Sequence, residues 1–336
     1  MTTNANEQQE LELGTRDDRG PSRPLRALPP GRWVVEVTTR TIHGRYLLKP
    51  TREAKELIEG VLGRALEKHP TIHLYAYWFL SNHYNLLVSA PDAPSLSEFM
   101  NHVNSNLARE LGALFGWRER FWSRRYRAII VMGADAEVRR LKYLLAQGSK
   151  DGLIYRPSQW TGATSLRALT EGVNAVGYWF NRTQECCARG ANRKFKRYDF
   201  ATRYELILEP IPCWADLTPD ERRAKCREIV AEIEREATEM YRRERRRPLG
   251  MKKVLEQNPH DGPDDFVRSP APLCHTSTTT ERDGFHKFYF GFRDKFRAAS
   301  ARFRSGIAEA LSEFPASCFV PSRTPVPRLT EIAVAP

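Results

Sequence analysis

From Trp33 the chain alternates apolar and polar positions. Trp33-Val34-Val35-Glu36-Val37-Thr38-Thr39 is rich in β-branched residues and predicts a strand. Pro50-Thr51-Arg52-Glu53 opens a helix, with Thr51 as its N-cap, that runs to about Lys68. Ile72–Leu80 and Tyr84–Ser89 read as two more strands separated by Ser81-Asn82-His83, the pattern of a hairpin. Ser95 is expected to cap a helix that continues to about Phe115. Arg124–Val131 reads as a strand, and Asp135–Gln147 as a helix ended by Gly148. The order β-α-β-β-α-β-α places helices between antiparallel strands. It predicts an α+β fold with one sheet over about 31–165.

The second half carries a different pattern. Residues 166–320 read as a mainly helical, basic region. Thr218–Arg247 predicts a long helix with Cys226, Ile229, Val230, Ile233, Ala237, Met240 and Tyr241 on one stripe. It closes on Arg242-Arg243-Glu244-Arg245-Arg246-Arg247-Pro248, and a proline-rich loop follows over Asn258–Pro272. About Glu281–Phe314 a further helical region sets many Phe among Arg and Lys. Their helical spacing assigns most of these rings to packing. Residues 1–30, polar and then proline-rich, read as a flexible tail, and 321–336 as another. No internal repeat is visible.

The composition agrees with a packed chain. Of 336 residues 41% are hydrophobic, enough for a core, which disfavours a largely disordered protein. Lys and Arg outnumber Asp and Glu by 53 to 41, a net charge of +12 that points toward a polyanion partner. Residues 1–30 hold no apolar signal core, and the longest apolar stretches are far too short to span a bilayer. A cytoplasmic protein without membrane contact is therefore expected. The six cysteines form no C-x-x-C pair, which favours reduced thiols and disfavours zinc.

Three groups of residues carry candidate chemistry. In the strand that starts at the hairpin turn, a period of two puts His83, Asn85 and Leu87 on one face and Tyr84, Leu86 and Val88 toward the core. An imidazole and a carboxamide flanking one apolar residue could present a hard cation such as magnesium or manganese, or simply cap the hairpin through local hydrogen bonds. In the helix Asp135–Gln147, the residues Ala136, Arg140, Tyr143 and Gln147 share a face. A phenol beside a guanidinium and an amide is a candidate nucleophile on phosphorus, or an exposed helix tyrosine. Arg124, Arg125 and Arg127, with Trp122 and Tyr126, combine charge and rings as single-stranded or hairpin nucleic acid requires. Arg140 and Lys142 extend that charge along the helix. Core packing is the plainer reading of those rings.

The order of these pieces resembles a known family. HLYAYWFLSNHYNLLVS, His73–Ser89, looks like the metal-binding hairpin of the HUH-superfamily single-tyrosine transposases, most similar to the REP-associated tyrosine transposases. LKYLLAQGSKDGL, Leu141–Leu153, resembles their nucleophile helix, and Arg156-Pro157-Ser158-Gln159-Trp160 the segment after it. Gly250–His275 and Phe296–Pro315 are similar in order to longer bacterial members. The resemblance implies a ferredoxin-like antiparallel sheet with flanking helices, a homodimer and recognition of single-stranded DNA hairpins. It implies cleavage and rejoining of strands through a 5′-phosphotyrosine at Tyr143, with Mg2+ or Mn2+ held by His83, Asn85 and Gln147. One position departs from the pattern: Asn85 stands where the family places its second histidine. An uncharged set of one imidazole and two carboxamides binds metal more weakly. The alternative is therefore a domesticated relative, impaired in cleavage, that binds hairpin DNA; an RNA-binding role for the same surface is a third reading.

Overall fold

The computed structural model describes residues 27–263 and 272–320. Its centre is a sheet built from β1 (Trp33–Arg40), β2 (His73–Phe79), β3 (His83–Ala90) and β4 (Arg127–Met132) in the order β2-β3-β1-β4, all antiparallel. With α1 (Arg52–Lys68) between β1 and β2 and α2 (Ala93–Phe115) between β3 and β4, this is the expected ferredoxin-like arrangement. A short strand, β7 (Cys274–Thr276), adds to β4 in parallel and joins the distant C-terminal region to the sheet.

Alternation decides the two faces. Val35, Val37, Tyr84, Leu86 and Val88 point into one layer, where Leu57, Ile58, Val61 and Leu62 of α1 meet Phe99, Met100, Val103 and Leu107 of α2. Val34, Trp78, Leu87 and Val131 point the other way, onto Leu141, Leu144 and Leu145 of α3 (Ala134–Leu145) and Ile229 and Ile233 of α7 (Pro219–Arg243). A bulge in β2 between Leu74 and Ala76 turns both Tyr75 and Ala76 to this second layer. The outer edge of β2 is covered rather than bare: Phe79 and Tyr77 pair with Ala163 and Ser165, and the Leu74 carbonyl accepts from Glu209.

Several elements differ from the reading of the sequence. The helix α2 is capped by Asp92, whose side chain accepts from the amide of Ser95; Ser95 lies inside the first turn. The helix expected to reach Gln147 ends at Leu145, and α4 (Gln147–Lys150) follows as a separate turn. Gly148 therefore does not stop a helix. It leaves room for Ile154, which would lie 2.7 Å from an added Cβ. Ala27 and Leu28, placed in the tail, are buried against the first layer. Residues 1–26, 264–271 and 321–336, which include the rest of both tails and part of the proline-rich loop, lie outside the described residues.

The region after residue 166 is mainly helical, as expected, but it also contains an antiparallel hairpin, β5 (Ala175–Phe180) with β6 (Ala201–Leu206). This hairpin packs on α1 through a backbone-to-backbone contact. A Cβ on Gly60 would come within 2.1 Å of the Tyr178 carbonyl oxygen, and one on Gly177 within 2.0 Å of the Gly60 nitrogen. The long helices α7 and α9 (Thr279–Arg304) end earlier than read and bury most of their stripes, Cys226, Ile229, Ile233, Ala237 and Tyr241 in one and Phe285, Tyr289, Phe292 and Phe303 in the other, while Val230 and Met240 are half-buried and Phe290 is exposed. Among the described residues no helix is long and apolar enough to cross a membrane.

Candidate active site

The second face of the sheet carries a polar row that the alternation of β1 and β3 creates. Opposite one another stand Arg40 and His83, Thr38 and Asn85, and Glu36 and Leu87. Above them lies α3, which ends with Gln147 starting the next turn.

This arrangement brings His83 and Gln147, 64 positions apart, into contact: Nε2 of the ring lies 2.9 Å from Oε1 of the amide. The other ring nitrogen, Nδ1, lies 2.8 Å from Asn82 Oδ1. Burial, and then the nearby charge of Arg40, push the imidazole down to about 4, so it is neutral at pH 7. A neutral ring has one N–H. Nδ1–H donating to Asn82 leaves Nε2 as a bare lone pair facing an oxygen. In the other tautomer Nε2–H donates to Gln147 Oε1 and Nδ1 is the bare nitrogen; in the first, the Gln147 amide turns its NH2 to the ring or a cation sits between the two acceptors. The spacing fits a cation: two ligands at about 2.1 Å and at right angles on one ion lie about 3.0 Å apart. A carbonyl on the far ring nitrogen is also the usual way a ligating histidine is oriented. His83 and Gln147 thus suit a hard divalent ion.

Asn85 is placed differently. It is buried, and its Oδ1 accepts a hydrogen bond from Thr38 Oγ1 at 2.6 Å. The oxygen that would ligate is engaged with β1, with one lone pair remaining. Among the described residues no group of three His, Cys, Asp or Glu is disposed to hold a metal. Any ion here would rest on carboxamides and one imidazole.

Tyr143 is half-buried on α3, between two cations. The Arg140 guanidinium carbon is 3.9 Å from the ring centroid and Lys150 Nζ is 4.3 Å from it. Positive charge also gathers at the far end of the row. Burial disfavours the charge of Arg40; Asp151, itself raised by burial, works against this, and the nearby Arg127 adds to it. A phenol with Arg140 and Lys150 against its ring is suited to a phosphodiester.

The remaining basic residues divide. Arg124, Arg125 and Arg127 are exposed, on the loop before β4 and at its start. Arg140 and Lys142 are occupied within the chain, which their sequence neighbours do not reveal. Arg140 Nη2 holds Glu36 Oε1 at 2.7 Å, and Lys142 Nζ lies 2.7 Å from both Glu232 and Glu236 of α7. Glu36 is buried. His275 on β7 approaches its other oxygen at 2.9 Å, a short distance that is off-line as a hydrogen bond. Despite burial, His275 and Arg140 together hold the Glu36 carboxyl below its ordinary range.

The sequence reasoning missed Glu36, Thr38, Arg40, Asn82, Lys150 and His275. The first three were in reach of the same alternation that found His83 and Asn85, applied to β1. His275 was not, since only the parallel pairing of β7 with β4 brings it here.

With this geometry in place, comparison with known proteins is informative. Residues 48–147 match the family described as Transposase IS200 like, a span that contains His83, Asn85, Tyr143 and Gln147. The match falls on the part of the chain that carries the resemblance read from the sequence, and it covers less than a third of the whole. Among solved structures, the chain is similar to a REP-associated tyrosine transposase bound to a REP hairpin. That likeness has 14% identity and a TM-score of 0.39, covering 45% of this chain and 87% of that one. A transposase candidate from Deinococcus radiodurans is similar at 15% identity and a TM-score of 0.26, covering 40% and 98%. No curated protein matches the chain significantly.

Proposed function

We propose that the protein is a DNA-strand transferase that binds single-stranded hairpin DNA and breaks and rejoins it through Tyr143. The observation that carries this reading is the contact of His83 with Gln147 under the helix that bears Tyr143. It brings a ring nitrogen of His83 to the Gln147 amide, four residues after Tyr143, and Tyr143 itself lies against Arg140 and Lys150, which supports the reading. Tyr143 Oη attacks the phosphorus, the bond from phosphorus to O3′ breaks, and a 5′-phosphotyrosine and a free 3′-hydroxyl result. The proton passes, through water, from the phenol to the departing 3′-oxygen. Arg40, Arg127 and Lys150 steer the backbone and offset its charge. His83 and Gln147 would hold Mg2+ or Mn2+, which when bound supplies polarisation of the scissile phosphate. Rejoining is the reverse attack by a 3′-hydroxyl. A homodimer belongs to the same reading.

A second reading has one observation in its favour. Asn85 occupies the second ligand position and has its oxygen on Thr38. A chain so built would grip hairpins without cutting them. Mass spectrometry of the protein after incubation with hairpin DNA and manganese separates the two. A nucleotide adduct on the peptide containing Tyr143 supports the transferase. Salt-sensitive binding with no adduct supports the binding protein.

A further inference from the structure

We propose that Glu36 is a positioning residue for Tyr143, acting through Arg140, and that the C-terminal region completes the device by seating His275 on the same carboxylate. The proposal rests on the reading of Tyr143 as the nucleophile.

Among the described residues Glu36 is the one carboxylate on the strands beneath α3, and it is only 4% exposed. A buried carboxylate needs partners for both oxygens. Oε1 takes Arg140 Nη2 and Oε2 faces His275. Arg140 is thereby fixed at one end. Its Nε is sealed from solvent and makes no hydrogen bond, so the guanidinium is held through Nη2 alone. The face of that fixed guanidinium lies against the Tyr143 ring, one helical turn along α3. A ring on a helix surface samples several rotamers unless something packs against it. Here Arg140 and Lys150 both pack against it, but only Arg140 is tied to the rigid sheet. Lys150 is exposed.

The third partner comes from far away in the chain. β7 pairs in parallel with β4, with His275 beside Val131, and this register places the imidazole over Glu36. The family match ends at residue 147, so the segment that supplies His275 lies outside it. The C-terminal region thus reaches the nucleophile through two contacts, His275 to Glu36 and Glu36 to Arg140, with the ring stacked on the last.

The test uses the full chain with 3-fluorotyrosine incorporated, the Tyr143 resonance being identified as the one lost in Tyr143→Phe. Two quantities are read in wild type, Glu36→Gln, Arg140→Lys and His275→Gln: the fluorine shift and linewidth of Tyr143, and the single-turnover rate of adduct formation against hairpin affinity. Glu36→Gln keeps the shape and removes the charge. Arg140→Lys keeps the charge and removes the planar stack. Both are expected to move or broaden the Tyr143 resonance. Both should slow adduct formation by about 100-fold, the scale of a misplacement of about 1 Å, with hairpin affinity unchanged within about threefold. His275→Gln should have a smaller effect of the same kind. An unmoved Tyr143 resonance in Glu36→Gln and Arg140→Lys overturns the proposal, whatever happens to the rate. A moved resonance with an unchanged rate overturns it as well. If wild type forms no adduct while the resonance moves, Glu36 positions Tyr143 as inferred and the transferase reading is what fails.

Discussion

Replacing His83 with Gln should flatten the acid limb of the stability curve. In the folded protein, burial first and the charge of Arg40 second push the imidazole from 6.5 down to about 4, while the Gln147 amide works weakly against them. In the unfolded chain the same ring titrates near 6.5. Between those two values the unfolded state binds more protons than the folded state, so stability falls as pH drops through the window. It is fully present above 6.5. The gap, at 1.36 kcal/mol per pH unit, amounts to about 3 kcal/mol. Gln keeps a polar partner for Gln147 and Asn82 but cannot titrate. Urea unfolding of both proteins, followed by circular dichroism from pH 7 to about pH 4, isolates this contribution, since every other group is common to both. Wild type should lose about 3 kcal/mol more than the variant across that range. Parallel curves would mean that His83 protonates normally in the folded state, and the argument for a bare Nε2 facing Gln147 would be lost.

Other outcomes follow from neighbouring groups. Burial raises the carboxyl of Glu59 to about 7, so its stabilising effect is full below 4.5 and lost as pH rises through 7. Glu59→Gln, which keeps an acceptor for Tyr77, should therefore be more stable than wild type by about 3 kcal/mol at pH 8 and equal to it near pH 4, as read by urea unfolding. Arg140→Ala leaves Glu36 buried with only His275 beside it, and should cost about 3 kcal/mol in a thermal melt. An unchanged melting temperature would show the pair to be dispensable and return Arg140 to a pure DNA-contact role. Asn85→His adds an imidazole beside His83 and should tighten manganese binding at least about tenfold in calorimetry, since even residues that merely support a ligand are worth that much. Unchanged affinity would mean that position 85 does not face the ion.

The layout of the site was largely legible because strand alternation is a local property. His83 and Asn85 had to share a face, and the face not claimed by Tyr84, Leu86 and Val88 had to look toward the next helix. The helix face of Arg140, Tyr143 and Gln147 was equally fixed by its period, even though the helix breaks at Ala146. Partners across long separations were not legible. Glu36 is 104 positions from Arg140, and Lys142 is 94 from Glu236, so residues that look like free DNA contacts turn out to be engaged in ion pairs. The cap of α2 was misplaced because Asp92 and Ser95 are both good N-cap residues, and the chain uses the earlier one. The β5–β6 hairpin carried a readable signal in Val176-Gly177-Tyr178-Trp179-Phe180. Its docking, through two glycines of different elements, did not.

The central claim is that Tyr143 forms a covalent link to DNA, and a denaturing gel tests it most directly. Labelled single-stranded hairpins from the DNA flanking the gene would be incubated with manganese and wild type, Tyr143→Phe or Asn85→His. The account predicts a slow-migrating adduct with wild type, none with Tyr143→Phe, and more with Asn85→His. Hairpin binding without an adduct in wild type or Asn85→His would contradict it and leave a binding protein.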